Sequence, residues 1–183
     1  MRIIFDCEFA DKPAELVFEL QQHEEGAVQS EIRLTGPDTE LKVPCFFQGS
    51  ELSDFTKDLI DLQAGERDDA HLLSFDEHVD LRFVRDPESD RITINGQLRH
   101  PAPFTGNDSG YVPIREGLEV VHEAAETGAD RFPSGISVGL GGFVLDPRGL
   151  ARTLRWLCKF LQDAGIAVEN PWLRAGTRSG STT

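Results

Sequence analysis

Cysteine, methionine, tyrosine and tryptophan are scarce in this 183-residue sequence, which has three, one, one and two of them. The cysteines, Cys7, Cys45 and Cys158, are odd in number and far apart, which excludes a disulfide framework and a C-x-x-C metal knuckle. A chain of this length buries roughly 70% of its unfolded surface and needs neither disulfide nor metal to fold. We therefore expect three buried thiols in a reducing cytosol.

Long hydrophobic runs are also missing from the sequence. The apolar residues that follow Arg2 are interrupted at Asp6, too soon for a signal peptide, and no run reaches the length of a membrane span. We therefore expect a cytoplasmic location and no membrane partner.

Basic side chains are few: the sequence has 18 lysines and arginines and 32 acidic residues, which gives a net charge of −14. This balance excludes nucleic acid and anionic lipid as partners, since phosphate contacts require Lys and Arg. It permits a basic protein partner. Residues 146–183 reverse the balance, with six basic and three acidic side chains.

Alternating apolar and polar residues predict a series of short strands joined by tight turns, which is typical of an antiparallel meander. Pro44 places the fourth strand at a sheet edge or marks a bulge. A tight turn at Asp76-Glu77 joins the fifth and sixth strands. The predicted strands cover residues 3–9, 16–20, 28–34, 41–47, 70–75, 78–84 and 92–98.

A first helix is predicted from a cap at Ser50 to about Ala64, with Gly65 just past its end. Its apolar stripe consists of Leu52, Phe55, Leu59 and Leu62. An acidic stripe beside it consists of Glu51, Asp54, Asp58 and Asp61.

Residues 132–162 form the stretch around which the chain is organised, a strand followed by a capped helix. The alternating residues Ile136, Val138, Leu140 and Val144 predict the strand. Asp146 and Pro147 mark the helix start. Helical spacing then predicts a buried side of Leu150, Leu154, Leu157 and Leu161, widened by Trp156 and Phe160, and an opposite basic stripe of Arg148, Arg152, Arg155 and Lys159.

These elements predict one α+β domain over residues 1–169, with an antiparallel β-sheet meander of about seven or eight strands and two helices packed on one face. Residues 101–131 are expected to be an insertion of loop and helix. Residues 114–127 fit a helix, although 118–122 also fits a strand. Residues 170–183 are expected to be a partly disordered tail.

Two glycine-rich patterns suggest chemistry that their surroundings do not support. Residues 135–139 match G-x-S-x-G, but the helix comes about ten residues after Ser137, and no histidine follows His122. Residues 139–142 lack the lysine of a phosphate-binding loop. We interpret both as a glycine-rich strand with close backbone contacts or a bulge.

The histidines do not form a metal site either. With the turn at Asp76-Glu77, His78 pairs with Phe75 and His71 with Arg82, which keeps the two rings apart. The pair formed by Glu119 and His122 occurs once, whereas a di-iron bundle needs it twice. We therefore expect no metal, no cofactor and no catalytic residue.

Five stretches have a combination of hydrophobic spacing and glycines that is similar to a known group. They are Leu52-Ser-Asp-Phe-Thr-Lys-Asp-Leu59, Ala70-His-Leu-Leu73, Val79-Asp-Leu-Arg-Phe83, Arg91-Ile-Thr-Ile-Asn-Gly-Gln-Leu98 and Phe143-Val-Leu-Asp-Pro-Arg-Gly-Leu150. Over residues 40–100 and 132–162 the chain resembles the WapI-type immunity proteins of bacterial polymorphic-toxin systems. The resemblance implies a protein that binds and neutralises a cognate toxin without catalysis of its own.

The expected function is therefore a non-catalytic protein-binding module, with a hydrolase-like enzyme or a structural subunit of a larger assembly as alternatives. Toxin domains that attack nucleic acid are usually basic, so an acidic surface would attract them. We expect the partner to dock on an acidic face, with the loop at 101–113 as the other candidate and the oligomeric state left open. The acidic face is Glu51, Asp54, Asp58, Asp61, Glu66, Asp68 and Asp69.

Overall fold

The computed structural model describes residues 1–22, 26–36, 39–100, 118–122, 136–168 and 171. In this part of the chain one helix follows the fourth strand and a second helix follows the last strand. The elements are β1 (Arg2–Phe9), β2 (Lys12–Gln22), β3 (Ala27–Gly36), β4 (Thr39–Gln48), α1 (Gly49–Ala64), β5 (Asp69–Leu73), β6 (Val79–Arg85), β7 (Ile92–His100), β8 (Leu118–His122), β9 (Ile136–Leu145) and α2 (Pro147–Asp163).

The described strands form one antiparallel sheet in the order β4-β3-β2-β1-β9-β7-β6-β5. Strand β9 joins two meanders, because it pairs with β1 on one edge and with β7 on the other. Strand β8 continues the edge of β9 that β1 leaves uncovered. The predicted α+β class and antiparallel sheet are confirmed, and β8 brings the described strands to nine.

Strand β4 lies at one edge of this sheet, as Pro44 predicts. A proline has no N–H to donate, so it is tolerated where the outer side of a strand has no neighbouring strand. Strand β5 forms the opposite edge of the sheet.

Both helices lie on one face of the sheet, because they pack against each other while α1 contacts β5 and α2 contacts β1. Phe83 of β6 lies between Phe5 of β1 and Phe55 of α1, with ring centroids 5.6 and 5.2 Å away. Burying one such ring contributes roughly 1.5–3 kcal/mol. These three rings therefore join the first helix to both halves of the sheet.

Helix α1 differs from its prediction at the first turn only. The N-cap is Gln48 rather than Ser50, since the chain enters the helix directly from β4 and the Glu51 carboxylate accepts from the Gln48 N–H at 2.9 Å. Gly65 ends the helix with a φ of 77°, as expected for a left-handed cap. The predicted apolar stripe, Leu52, Phe55, Leu59 and Leu62, is fully buried.

A bulge in β9 changes which residues face the core. Gly141 and Gly142 stand opposite the single residue Asn95, because Leu140 pairs with Gly96 while Phe143 pairs with Ile94. The predicted alternation through Val144 is therefore wrong beyond Leu140. Phe143 and Leu145 are buried instead, and Val144 is only half-buried.

Helix α2 begins and packs largely as its sequence predicts. The Asp146 carboxylate accepts from the backbone N–H groups of Arg148 and Gly149 at 3.0 and 3.2 Å, with Pro147 at the first position. Phe160 joins the buried side of the helix, but Trp156 does not and is 50% exposed. The leucines predicted to be buried, Leu150, Leu154, Leu157 and Leu161, all are.

Within 101–131 the structure describes only 118–122, which is a strand rather than part of a helix. The other predictions for this insertion, and those for the tail apart from residue 171, lie outside the described residues. No helix in the described part of the chain combines the length and the apolar character required to cross a bilayer.

Candidate functional site

The acidic stripe follows the side of α1 that does not face the core. Asp54 is exposed, and Glu51, Asp58 and Asp61 are half-buried. Their position follows from helical spacing, since the leucines of the other side are packed against the sheet. The helix thus places a row of carboxylates at the surface, as predicted.

Arg67 joins this row to strand β5. Its guanidinium forms an ion pair with Asp58, and its Nε donates to the Asp69 carbonyl oxygen at 3.1 Å. A terminal nitrogen also lies 4.0 Å from the Asp69 carboxylate. The acidic face therefore extends from the helix onto the edge strand, with one arginine between its two parts.

The ionisation of Asp58 is perturbed by its surroundings. Partial burial raises its pKa above the ordinary value, and repulsion from Asp61 and Asp54 raises it further. Arg67 opposes this rise. Asp61 and Asp54 are thus close enough to repel Asp58, while Arg67 attracts it.

The remaining members of the acidic face have different surroundings. The Glu51 carboxylate caps the helix at Gln48. Glu66 and Asp68 are exposed in the connection after α1, where the Asp68 carbonyl oxygen accepts from the Arg85 N–H at 2.8 Å. Their backbones are therefore fixed while both side chains extend from the surface.

Part of the basic stripe of α2 is neutralised by the protein itself. Arg152 lies 2.9 Å from the Asp6 carboxylate, and Lys159 lies 2.8 Å from that of Asp163. Since carboxylates of the same molecule already balance these two cations, the stripe exerts a weaker field than its sequence suggests.

The G-x-S-x-G pattern lies within a strand. Ser137 pairs with Arg99 of β7 and Val121 of β8, and the next helix begins only at Pro147. A nucleophile elbow needs a sharp turn at the serine and a helix immediately after it. The glycines that follow form the β9 bulge, as the structural interpretation of this motif predicts.

The histidines near the β5–β6 turn each have a carboxylate neighbour. His71 pairs with Arg82 across the strands, as predicted, and its Nε2 lies 2.7 Å from the Asp80 carboxylate. The register is the one that places His78 opposite Phe75, but the paired strands end at Leu73 and Asp80. The Ser74 N–H then donates to the Val79 carbonyl oxygen at 2.9 Å, and residues 75–78 form the turn.

The remaining candidate metal ligands and the three thiols have structural explanations. Glu119 and His122 belong to a strand, whereas the di-iron motif needs a helix. Among the residues that the structure describes, no three His, Cys, Asp or Glu side chains converge in a way that could hold a metal. The three thiols are free and buried, as predicted.

Sequence reasoning did not identify an apolar patch where β4 meets the β5–β6 turn, namely Phe46, Leu73 and Phe75. The Phe75 N–H donates to the Phe46 carbonyl oxygen at 2.8 Å, which brings the two edges of the sheet together. All three side chains are exposed. The signal available in the sequence was strand parity, since Phe46 alternates with the buried Cys45 and Phe47.

The chain matches none of the protein-family models, curated proteins or solved structures with which it was compared.

Proposed function

We propose that this protein is a non-catalytic cytoplasmic immunity protein that neutralises a basic toxin domain by binding it through the acidic face. The resemblance of residues 40–100 and 132–162 to the WapI-type group supports the kind of function. The geometry of α1 supports the location of the contact.

One observation carries the location: a single side of α1 holds Asp54, Asp58 and Asp61 together at the surface, and the charges of Asp54 and Asp61 both oppose ionisation of Asp58, raising its pKa. Like charges held together at a surface are unfavourable in the free protein, and a cationic partner relieves this cost. Binding of lysine and arginine side chains there therefore gains more than binding to isolated carboxylates.

The charge of the whole chain favours the same partner. A net charge of −14 attracts a basic domain from a distance, and the acidic face orients it on approach. The basic stripe of α2 interferes little, because Arg152 and Lys159 already have carboxylate partners. Neutralisation then results from covering the toxin surface and requires no cofactor.

A charge-reversal variant tests this proposal. Asp54, Asp58 and Asp61 are changed together to Lys, and association is measured with the toxin domain encoded by the reading frame next to its gene. Electrostatic steering is worth roughly ten- to a thousandfold in association rate at low salt, so the variant should bind that much more slowly. The association rate of the variant should also depend less on salt. Salt ions screen charges over a Debye length of about 10 Å at 0.1 M, and the variant lacks the local attraction that they would weaken.

The matched control changes Glu8, Glu15 and Glu88 to Lys, three exposed carboxylates outside the acidic face. This control alters the net charge equally and should retain most of the association rate. Circular dichroism checks that both variants fold. If the two variants slow association equally, or neither does, the acidic face is only a solvated surface and the 101–113 loop becomes the better candidate.

A further inference from the structure

We propose that the apolar patch is the anchor point of the same interface, where it receives an apolar side chain that the basic partner presents between its cations. This inference rests on the proposed function and adds a second, chemically different contact to it. The acidic face then governs how fast the partner arrives, and the apolar patch governs how long it stays.

The exposure of the patch is the first observation. Phe46, Leu73 and Phe75 are 43%, 45% and 69% exposed. Single exposed apolar residues are ordinary, but adjoining ones with two aromatic rings are typical of binding sites. Aromatic side chains also dominate the energetic centres of protein interfaces.

The backbone under the patch is held rigidly, which is the second observation. Besides the Phe75–Phe46 hydrogen bond, the Phe46 N–H donates to the Asp76 carboxylate at 3.1 Å, and the Ser74 hydroxyl donates to the same carboxylate at 2.6 Å. His78 Nδ1 lies 3.1 Å from the Pro44 carbonyl oxygen. The backbone that carries the rings is therefore preorganised, and a partner loses little free energy in ordering it.

The patch is continuous with the acidic face along strand β5. Asp69, His71 and Leu73 alternate with the buried Ala70 and Leu72, so they share the outer side of the strand. At about 3.3 Å per residue, Asp69 and Leu73 are roughly 13 Å apart. A standard interface covers about 800 Å² on each partner, which is wide enough to include both surfaces.

The charges around the patch decide which occupant fits. Asp69, Asp76, Glu77 and Asp80 lie in or beside the β5–β6 hairpin. The basic residues are Arg82 and Arg85 on β6 and Lys42 on β4, and Arg85 and Lys42 are already paired with Asp90 and Glu40. A predominantly acidic rim suits an apolar side chain flanked by lysines or arginines. A second copy of this chain would bring the same negative rim and the same net charge of −14, so it is disfavoured.

Two synthetic peptides serve as probes for the test. One has lysines on both sides of a central tryptophan, and the other has serine in place of the tryptophan. Binding of each peptide to the full chain is followed by amide chemical shifts and by a titration at low salt. Both peptides should perturb residues 54–69, but only the tryptophan peptide should perturb 46 and 73–78 and should bind roughly tenfold more tightly, as a buried aromatic contact allows.

Phe75→Ser is the test variant, and Trp156→Ser is its matched control. Both remove an exposed aromatic ring, but Trp156 lies on α2, away from the patch. Phe75→Ser should abolish the tryptophan peptide's advantage and its shifts at 46 and 73–78, while Trp156→Ser should leave both unchanged. Circular dichroism and urea melts establish that the variants are folded.

The remaining outcomes separate this inference from the proposed function. If both peptides bind to 54–69 with equal affinity, the anchor is wrong and the acidic face stands. If neither peptide binds at 54–69, the acidic face fails as well. If sedimentation velocity shows that the wild-type chain self-associates and Phe75→Ser does not, the patch is occupied by a second copy and the anchor proposal is overturned.

Discussion

The hydroxyl of Thr153 on α2 donates to the carbonyl oxygen of Ile4 on β1 at 2.5 Å. Just beyond it, the Asp146 N–H donates to the Asp6 carbonyl oxygen at 3.0 Å, where β9 ends. A helix side chain therefore continues the ladder of hydrogen bonds along β1 after the neighbouring strand has turned away. This contact ties the end of the chain to its beginning.

Thr153→Val should destabilise the fold by about 1–3 kcal/mol, because the substitution keeps the shape of the side chain but removes the donor for Ile4. The control is Thr56→Val in α1, whose hydroxyl donates only to the Leu52 carbonyl oxygen within its own helix. That carbonyl keeps its helical partner, so we expect a smaller loss. Urea melts at constant m value measure both, and equal losses would show that the contact to Ile4 adds nothing.

Leu154→Ala should cost roughly 2–4 kcal/mol, since a fully buried leucine leaves a cavity when truncated. Trp156→Ala, two residues along the same helix, removes a larger but half-exposed side chain and should change stability by less than about 1 kcal/mol. Denaturant melts of both variants provide the comparison. Surface substitutions usually change stability by less than about half a kcal/mol. A loss that small for Leu154→Ala would mean that α2 does not contribute to the core.

Among the glycines whose surroundings the structure describes, Gly96 should be the most damaging to replace by Ala. Its φ is 143°, and an added Cβ would lie 2.0 Å from the Asp80 carbonyl oxygen on β6. Steric overlap adds to a backbone strain of about 1–3 kcal/mol, so we expect the variant to lose more than that range. Gly142 has a φ of 77°, but an added Cβ would have no atom within 4 Å. Gly142→Ala should therefore cost only about 1–2 kcal/mol. Thermal or urea melts rank the two variants, and the reverse order would contradict the close approach of Gly96 to Asp80.

The buried thiols should make the fold less stable at high pH. Burial raises the pKa of Cys7 and of Cys45 from 9.0 to about 12. Between these values the unfolded chain releases thiol protons that the folded chain retains, so the free energy of unfolding falls as pH rises. Urea melts across this window should show a shallower decline for Cys45→Ala than for the wild type. Parallel declines would mean that Cys45 is not protected in the folded state.

Local signals in the sequence were sufficient for much of the fold. Asp146 and Pro147 start α2, Gly65 ends α1, and the leucine stripes of both helices face the core. These features depend on backbone groups and side chains within a few positions of one another, which is the range that capping and periodicity describe.

Prediction failed where a distant segment determined the outcome. Trp156 has helical spacing for the core, but no element in the described part of the chain covers it, and it is half exposed. Val144 continues the period of its strand, but the bulge opposite Asn95 shifts that period. The acidic stripe was visible as a pattern, whereas the position of Arg67 between Asp58 and Asp69 was not.

The sequence by itself determined the negative charge, most of the elements and most of their inward and outward faces, because composition and short-range periodicity encode them directly. Only the tertiary structure decided that β9 lies between the two meanders, that Phe46 meets Phe75 and that Thr153 reaches Ile4. Those contacts join residues 29 and 149 positions apart in the chain. They depend on which strands pair and how the sheet brings its edges together. Short-range periodicity in the sequence holds no information about contacts between positions so far apart.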